Sequence, residues 1–309
     1  MASIAFLIAE TDSIEDGNYL RFGNELLQRG LDVAICLIDS ISMNGSSIMV
    51  KGFTLKRALS IGDPLPVLET FDLAAFSHIW LLSLGFRKTF LDKMQLLYAV
   101  GDRVRIINSL DAITHLNSKY LLATRPALLK YPATYASTNP EELYEIMLQG
   151  GRWIAKPPAG SLGREVFLIS QADANARVIL ETLCGPDRDQ FTLLQAYVEG
   201  VEKGEKRILF ANGKPIGQYR RHAINDHRSN LHQGAGSEMC ELTEDEARYC
   251  DTLGSFLKGF GAAFVGLDLI YPWIIEFNVI NPGGLVTIAE LGGQDLTATI
   301  IDEIGFTHS

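Results

Sequence analysis

Only four of the 309 residues are cysteine. Cys36, Cys184, Cys240 and Cys250 are scattered, with no C-x-x-C pair, which argues against a disulfide framework and a cysteine-built metal site. Free thiols in a reducing cytoplasm are the simplest account. No apolar run approaches the length of a membrane span. Basic charge is not in excess either: the net charge is −10 and the pI about 5.1, against bulk binding to nucleic acid or an anionic membrane. A local basic site for a phosphate is not excluded by that balance. The start, Met1 to Phe6, has no basic residue ahead of its apolar run, so it reads as a first strand and not as a signal peptide. Two glycine fingerprints are missing. There is no G-x-x-x-x-G-K-[ST], and no G-x-G-x-x-G follows the first strand, which lowers the odds of a P-loop protein and of a dinucleotide enzyme. Internal repeats and low-complexity segments are absent as well.

What is present reads as α/β. Residues 4–9 form an apolar strand, 18–29 a helix stopping at Gly30, and 32–38 a second strand. With further strands at 79–83 and 104–108 and a helix at 88–100, residues 1–115 are expected to be an open parallel α/β domain. Residues 43–57 are weakly patterned. From 116 to 190 the pattern is a small α+β unit: a helix at 117–124, another opening at Pro140, strands at 152–156 and 166–170, and a helix at 173–183. The last unit, 191–309, opens with a strand at 191–198. It continues with a hairpin turning at Asn212-Gly213 and a helix whose capping box is Thr243-x-x-Glu246.

Three oxygen donors stand on two apolar runs in that last unit: Asp268 in Phe-Val-Gly-Leu-Asp-Leu-Ile, then Glu276 and Asn278 in Ile-Glu-Phe-Asn. Glu276 and Asn278 are two apart on a strand and face one side, and a hairpin could bring Asp268 beside them. Two carboxylates and an amide oxygen suit Mg²⁺. The competing reading is the wet face of an antiparallel sheet. Upstream, Lys156 to Arg164 is a loop whose Gly160 and Gly163 could turn N–H groups toward a phosphate, or could simply make a hairpin. Lys156 ends an apolar strand, where a lysine needs an anionic partner unless it lies at the surface. Arg207, Arg220, Arg221 and Arg228, with Asn230 and three histidines, form a basic cluster suited to oxyanions, or else a solvated face. The five-residue histidine spacing does not suit zinc.

In order, these pieces resemble the ATP-grasp superfamily, and within it the bacterial glutathione synthetases. The resemblance is most specific over residues 191–281. There Gln195-Ala-Tyr-Val looks like the segment linking the two lobes, and Glu205-Lys-Arg-Ile-Leu with Asn212-Gly-Lys-Pro looks like D-K-R-V-L and D-G-E-P. Arg228-Ser-Asn-Leu resembles R-G-N-L, and Phe264-Val-Gly-Leu-Asp with Glu276-Phe-Asn-Val resembles F-V-G-L-D and E-I-N-V at the same spacing. Weaker matches are Asn117-Ser-Lys119 and Ile154-Ala-Lys156-Pro.

The resemblance implies a two-lobed α+β ATP-grasp fold behind the N-terminal domain, with 116–190 as the lid lobe and 191–309 as the catalytic lobe. It implies that Lys119 and Lys156 hold ATP phosphates, with Gly160 and Gly163 in the lid. Gln195, Tyr197 and Val198 would line the adenine pocket, and Glu205 would lie near the ribose. Asp268, Glu276 and Asn278 would bind Mg²⁺, for which Mn²⁺ can substitute. Arg207, Arg220, Arg228 and Asn230 would face the acyl substrate, with the register at Arg220 and Arg221 open by one residue. The implied reaction joins a carboxylate to an amine through an acyl phosphate, by default γ-glutamylcysteine to glycine. The implied partners are therefore small molecules, with no nucleic acid and no membrane, in a cytoplasmic homo-oligomer (dimer or tetramer).

The departures fall where substrates dock. The family's T-S-P-T is here Ile280-Asn281-Pro282-Gly283-Gly284, so Asn281, Gly283 and Gly284 are expected at the acceptor site. R-K-D-P-P-F is missing, with only basic residues near Gly85-Phe-Arg-Lys, and the lid loop lacks its acid. These changes keep open a peptide or amino-acid ligase with other substrates, and a catalytically silent nucleotide-binding protein.

Overall fold

Apolar runs at the start of the chain pair as parallel strands because both faces of their sheet are covered. In the computed structural model, which describes residues 3–158, 165–201, 204–222 and 236–306, the first sheet uses β1 (Ser3–Ile8), β2 (Asp32–Leu37), β3 (Ser42–Asn44), β4 (Ser47–Thr54), β5 (Glu69–Asp72), β6 (His78–Leu81) and β7 (Arg105–Ile107). Its order is β3-β4-β2-β1-β6-β7, with β5 on β4. The run β2-β1-β6-β7 is parallel, as expected, and β3, β4 and β5 add an antiparallel extension. That extension was hidden in the weakly patterned stretch. Ile48 and Val50 alternate inward, but the pattern breaks at Gly52, where a Cβ would stand 2.4 Å from the Ile35 carbonyl oxygen on β2. Helices α1 (Asn18–Gln28) and α2 (Phe90–Val100) cover the two faces.

The second sheet follows α3 (Lys119–Ala123). It comprises β8 (Thr134–Ser137), β9 (Arg152–Lys156), β10 (Phe167–Ser170) and β11 (Thr192–Ala196), all antiparallel in the order β10-β9-β11-β8. Helices α4 (Pro140–Met147) and α5 (Ala176–Cys184) pack on it around Met147, Trp153, Leu180 and Leu194. Strand β11 thus belongs to the small lobe, so the break between the two sheets falls after Ala196 and not at residue 190. The apolar run of β11 carries no mark of which sheet it joins; its partners decide that.

The third sheet, β12 (Glu205–Ala211), β13 (Lys214–His222), β14 (Gly236–Met239), β15 (Phe264–Ile270) and β16 (Trp273–Asn278), is antiparallel in the order β14-β13-β12-β15-β16. Asn212 and Gly213, at φ 47° and 82°, make the tight turn between β12 and β13. Helix α6 (Glu244–Gly259) begins at the expected capping box and packs Cys250, Leu253 and Leu257 against Ile208, Phe210, Leu267 and Phe277. Helices α7 (Leu285–Glu290) and α8 (Thr297–Ile304) lie on the opposite face, where Leu209, Tyr219 and Phe264 join the core of the first sheet. Trp80 stacks on Phe22 at 4.7 Å and meets Phe264 edge-on at 6.2 Å, so the first and third sheets share one apolar core.

Candidate active site

Alternation along the third sheet sends Ile208, Phe210, Leu267 and Phe277 into α6, which leaves Glu205, Arg207, Asp268, Glu276 and Asn278 on the other face. Arg207 is directly across from Asp268, and Asp268 from Glu276. Two one-residue irregularities set these registers. In the β15–β16 hairpin, Ile270 pairs with Trp273 and Leu269 with Ile274, and the extra Ile275 then brings Glu276, not Ile275, opposite Asp268. In β12–β13, Ala211 pairs with Lys214 and Phe210 with Pro215. A regular ladder would continue to Glu205 opposite Arg220, but the shift between Leu209 and Phe210 puts Arg221 there. Arg221 therefore stands on the site face, in the place expected for Arg220. Arg220 points to the other face, half exposed, with its Nη1 3.2 Å from Glu238.

Asp268 is the hub of this face. Its carboxylate is 4% exposed and accepts from Arg207 Nε at 2.5 Å and Nη2 at 3.0 Å, from Arg221 Nη2 at 2.6 Å, and from Asn278 Nδ2 at 3.1 Å. Burial alone would raise its pKa, but Arg207 and then Arg221 outweigh that and hold it below the usual carboxylate range. Arg221 also donates to Glu205 Oε1 at 2.5 Å, and the two carboxylates keep it charged against its burial. Arg207 reaches on through Nη1 to the Gly283 carbonyl at 2.8 Å. Its side chain lies over Gly266, where a Cβ would meet Pro282 at 2.9 Å and the arginine at 3.3 Å. That contact explains the glycine in Phe-Val-Gly-Leu-Asp.

The two lysines come from elsewhere. Lys119, at the start of α3, is buried and donates to Glu276 Oε1 at 3.0 Å and to the Pro158 carbonyl at 3.4 Å. Lys156, ending β9, donates to Gln195 Oε1 at 2.7 Å, and Gln195 Nε2 in turn donates to Thr134 Oγ1 at 3.1 Å. Burial first, then the charge of Lys119, push the Lys156 ammonium down to about 7, against the pull of Glu276 and Glu205. Of the four site cations among the described residues, Arg207, Arg221 and Lys119 are bonded to carboxylates, whereas Lys156 is bonded to a neutral amide. Past β11, the Arg152 guanidinium stacks on the Tyr197 ring at 4.2 Å, and Val198 is half-buried beside it in the link between sheets.

Asn281 and its neighbours close the far side. Asn18, the first residue of α1, donates to Asn281 Oδ1 at 2.8 Å and to the Pro282 carbonyl at 2.9 Å. Gly283 has open space over its Cα, and Gly284, at φ 132°, packs against Tyr219. The structure thus gathers Lys119, Lys156, Gln195, Glu205, Arg207, Asp268, Glu276, Asn278 and Gly283 around one junction of the two later sheets. Gly160, Gly163, Arg228 and Asn230 lie outside the described residues. Thr134, Gly266 and Asn18 were not named from sequence as site residues, whereas Arg221 stood there as the one-residue alternative to Arg220, and the β12–β13 register selects it.

Among the described residues, no three histidine, cysteine or carboxylate side chains gather as a metal site. Glu276 and Asn278 nevertheless fit a hard cation: the carboxylate is one-third exposed, and the amide, turned over, presents its oxygen. Asp268 fits only if it gives up one of its present donors, because all four of its acceptor positions are used.

The family model for the prokaryotic glutathione synthetase ATP-grasp domain matches residues 121–293, more than half of the chain. A glutathione synthetase from Mesorhizobium japonicum is 34% identical over 174 residues, 56% of this chain and 55% of that protein, so the match spans about half of the relative's length. Among solved structures, the D-cycloserine synthetase DcsG superposes with a TM-score of 0.69 at 13% identity, over 98% of each chain. The ATP-grasp ligase PsnB, in complex with a phosphomimetic variant of its minimal precursor, Mg and ADP, gives 0.63 at 17% identity, again over 98% of each. Both share the fold of the whole chain, first sheet included. The matched family model spans more than half of the sequence, and the chain belongs to the prokaryotic glutathione synthetase family of ATP-grasp proteins.

Proposed function

We propose that this protein is an ATP- and Mg²⁺-dependent carboxylate–amine ligase working through an acyl phosphate, with γ-glutamylcysteine and glycine as the default pair. The observation that carries the reading is Lys156. It is a deeply set ammonium on a neutral amide, beside Lys119 and facing Glu276. A cation so placed calls for an anionic ligand, and a nucleotide phosphate at a lobe junction supplies one. The PsnB complex, which holds Mg and ADP on this fold, supports the same choice.

In this mechanism Lys156 and Lys119 bind the phosphates, and Lys119 leaves Glu276 to do so. Glu276 and Asn278, joined by Asp268 on release of its Asn278 bond, would hold Mg²⁺. When bound, the ion neutralises phosphate charge and orients the γ-phosphoryl group. Gln195, Tyr197 and Val198 line the adenine side, and Glu205 stands toward the ribose. Asp268 fixes the planes of Arg207 and Arg221, whose charge orients the attacking carboxylate and then stabilises the acyl-phosphate carbonyl oxygen as the amine attacks it and phosphate leaves. Gly283, open over its Cα, leaves room for the acceptor amine.

A second reading keeps the chemistry and changes the amine. It is favoured by the Asn281–Asn18 bond, which fills the acceptor side with a contact between the N-terminal domain and a stretch that departs from the family's T-S-P-T. ADP release from Mg-ATP with γ-glutamylcysteine, with and without glycine, tests both. Glycine-dependent release with glutathione detected by mass is the expected result. Release driven by another amine would select the second reading, and no release with any carboxylate and amine would overturn both.

A further inference from the structure

The row Glu205–Arg221–Ser237 crosses three strands on the site face, with Arg221 directly opposite Ser237 of the edge strand β14. Arg221 is 9% exposed. Its Nη2 is committed to Glu205 and Asp268, but its Nε–H is buried and has no partner among the described residues. The Ser237 hydroxyl, on the neighbouring strand, is also buried and without a partner among the described residues. An unmade buried hydrogen bond is costly, and two such groups side by side need a common explanation. Arginine Nε can only donate, so the missing partner is an acceptor, and a serine hydroxyl can donate to the same atom. Arg207 and Asp268 lie one row away, where the acyl group would sit.

We propose that Arg221 Nε–H and Ser237 Oγ–H form a two-donor subsite for an anionic oxygen of the reacting group, carboxylate or phosphoryl. The assignment rests on the ligase reading for the identity of that group. Ser237 then acts as an oxyanion donor that the family motifs quoted above do not include. The guanidinium is held by its two carboxylates, which fixes the direction of Nε–H.

The test titrates two probes calorimetrically: inorganic phosphate in the presence of Mg-ADP, and γ-glutamylcysteine in the presence of a non-hydrolysable Mg-ATP analogue. Ser237→Ala is expected to weaken one of them about tenfold, the worth of one hydrogen bond to a charged group. Ser237→Thr should restore it, and Mg-ADP affinity should be unchanged. Which probe weakens identifies the oxygen as phosphoryl or carboxylate. Arg221→Lys, which keeps charge and loses Nε, should weaken the same probe, and a matching melting curve would show that the fold is kept. Unchanged affinity for both probes in a folded Ser237→Ala protein would overturn the subsite. A wild type that ligates nothing, yet loses phosphate affinity on Ser237→Ala, would sink the ligase reading and keep the subsite.

Discussion

Lys156 and Asp268 show how differently two polar residues on similar strands are treated. Lys156 rests on a neutral amide at a pKa of about 7, so above pH 7 it is largely uncharged until an anion arrives. On the proposed phosphate role, ligand binding would restore its charge and take up a proton. At pH 8, nucleotide binding measured in buffers of different ionisation enthalpy should show uptake approaching one proton, falling away below pH 6. Lys156→Met should abolish the uptake and weaken binding, and pH-independent proton exchange would contradict the assignment. Asp268 is the reverse case, fully paired before any ligand binds. Asp268→Asn removes the partner of two buried arginines and should lower stability by about 3 kcal/mol in denaturant titration as well as stop turnover. Glu276→Gln, on a carboxylate one-third exposed, should stop Mg²⁺-dependent turnover with stability changed by less than about 1 kcal/mol. Equal destabilisation by both would argue against this division of roles.

At the scale of the element, α6 is held by more than its apolar stripe. Glu246 caps its own N-terminus by accepting from the Thr243 N–H at 2.7 Å. It also accepts from Lys206 Nζ at 2.6 Å, which ties the helix to β12. Burial would raise the Glu246 pKa, but the lysine and the cap outweigh it and hold it low. The pair therefore stabilises above the ordinary carboxyl pKa, and that contribution is lost as pH falls through the depressed one. Glu246→Ala should cost about 3 kcal/mol at pH 7 and less at pH 3, read from urea midpoints. The capping box, the Asn212-Gly213 turn and the apolar runs of β12, β15 and β16 were legible in the sequence because each is a local pattern. The two hairpin irregularities were not. One extra residue at Ile275 and one at Ile216, opposite the Leu209–Phe210 step, decide whether Glu276 and Arg221 face the site, and no local pattern announces them. Hence Arg220 and Arg221 could not be told apart, while Glu276 and Asn278 could be grouped through their two-residue spacing, and Asp268 joined them through a conjectured hairpin and the family resemblance. Strand β11 was found but assigned to the wrong sheet, because pairing partners are a long-range property.

For the whole molecule, the site is a junction. The small lobe brings Lys156 and Gln195, the α3 start brings Lys119, the third sheet brings the carboxylates and arginines, and the first sheet arrives through Asn18. The shared core of Trp80, Phe22 and Phe264 fixes the first and third sheets together, whereas the small lobe has its own core around Trp153 and Leu180. That division suits a reaction in which one body holds the acyl group while the other brings the nucleotide. The most direct measurement is isotope transfer. A carboxylate substrate that supports turnover is labelled with ¹⁸O in its carboxyl group, and the released phosphate is weighed. With both carboxyl oxygens labelled, each phosphate should carry one ¹⁸O, delivered through the acyl phosphate. Unlabelled phosphate would contradict carboxylate activation at this site.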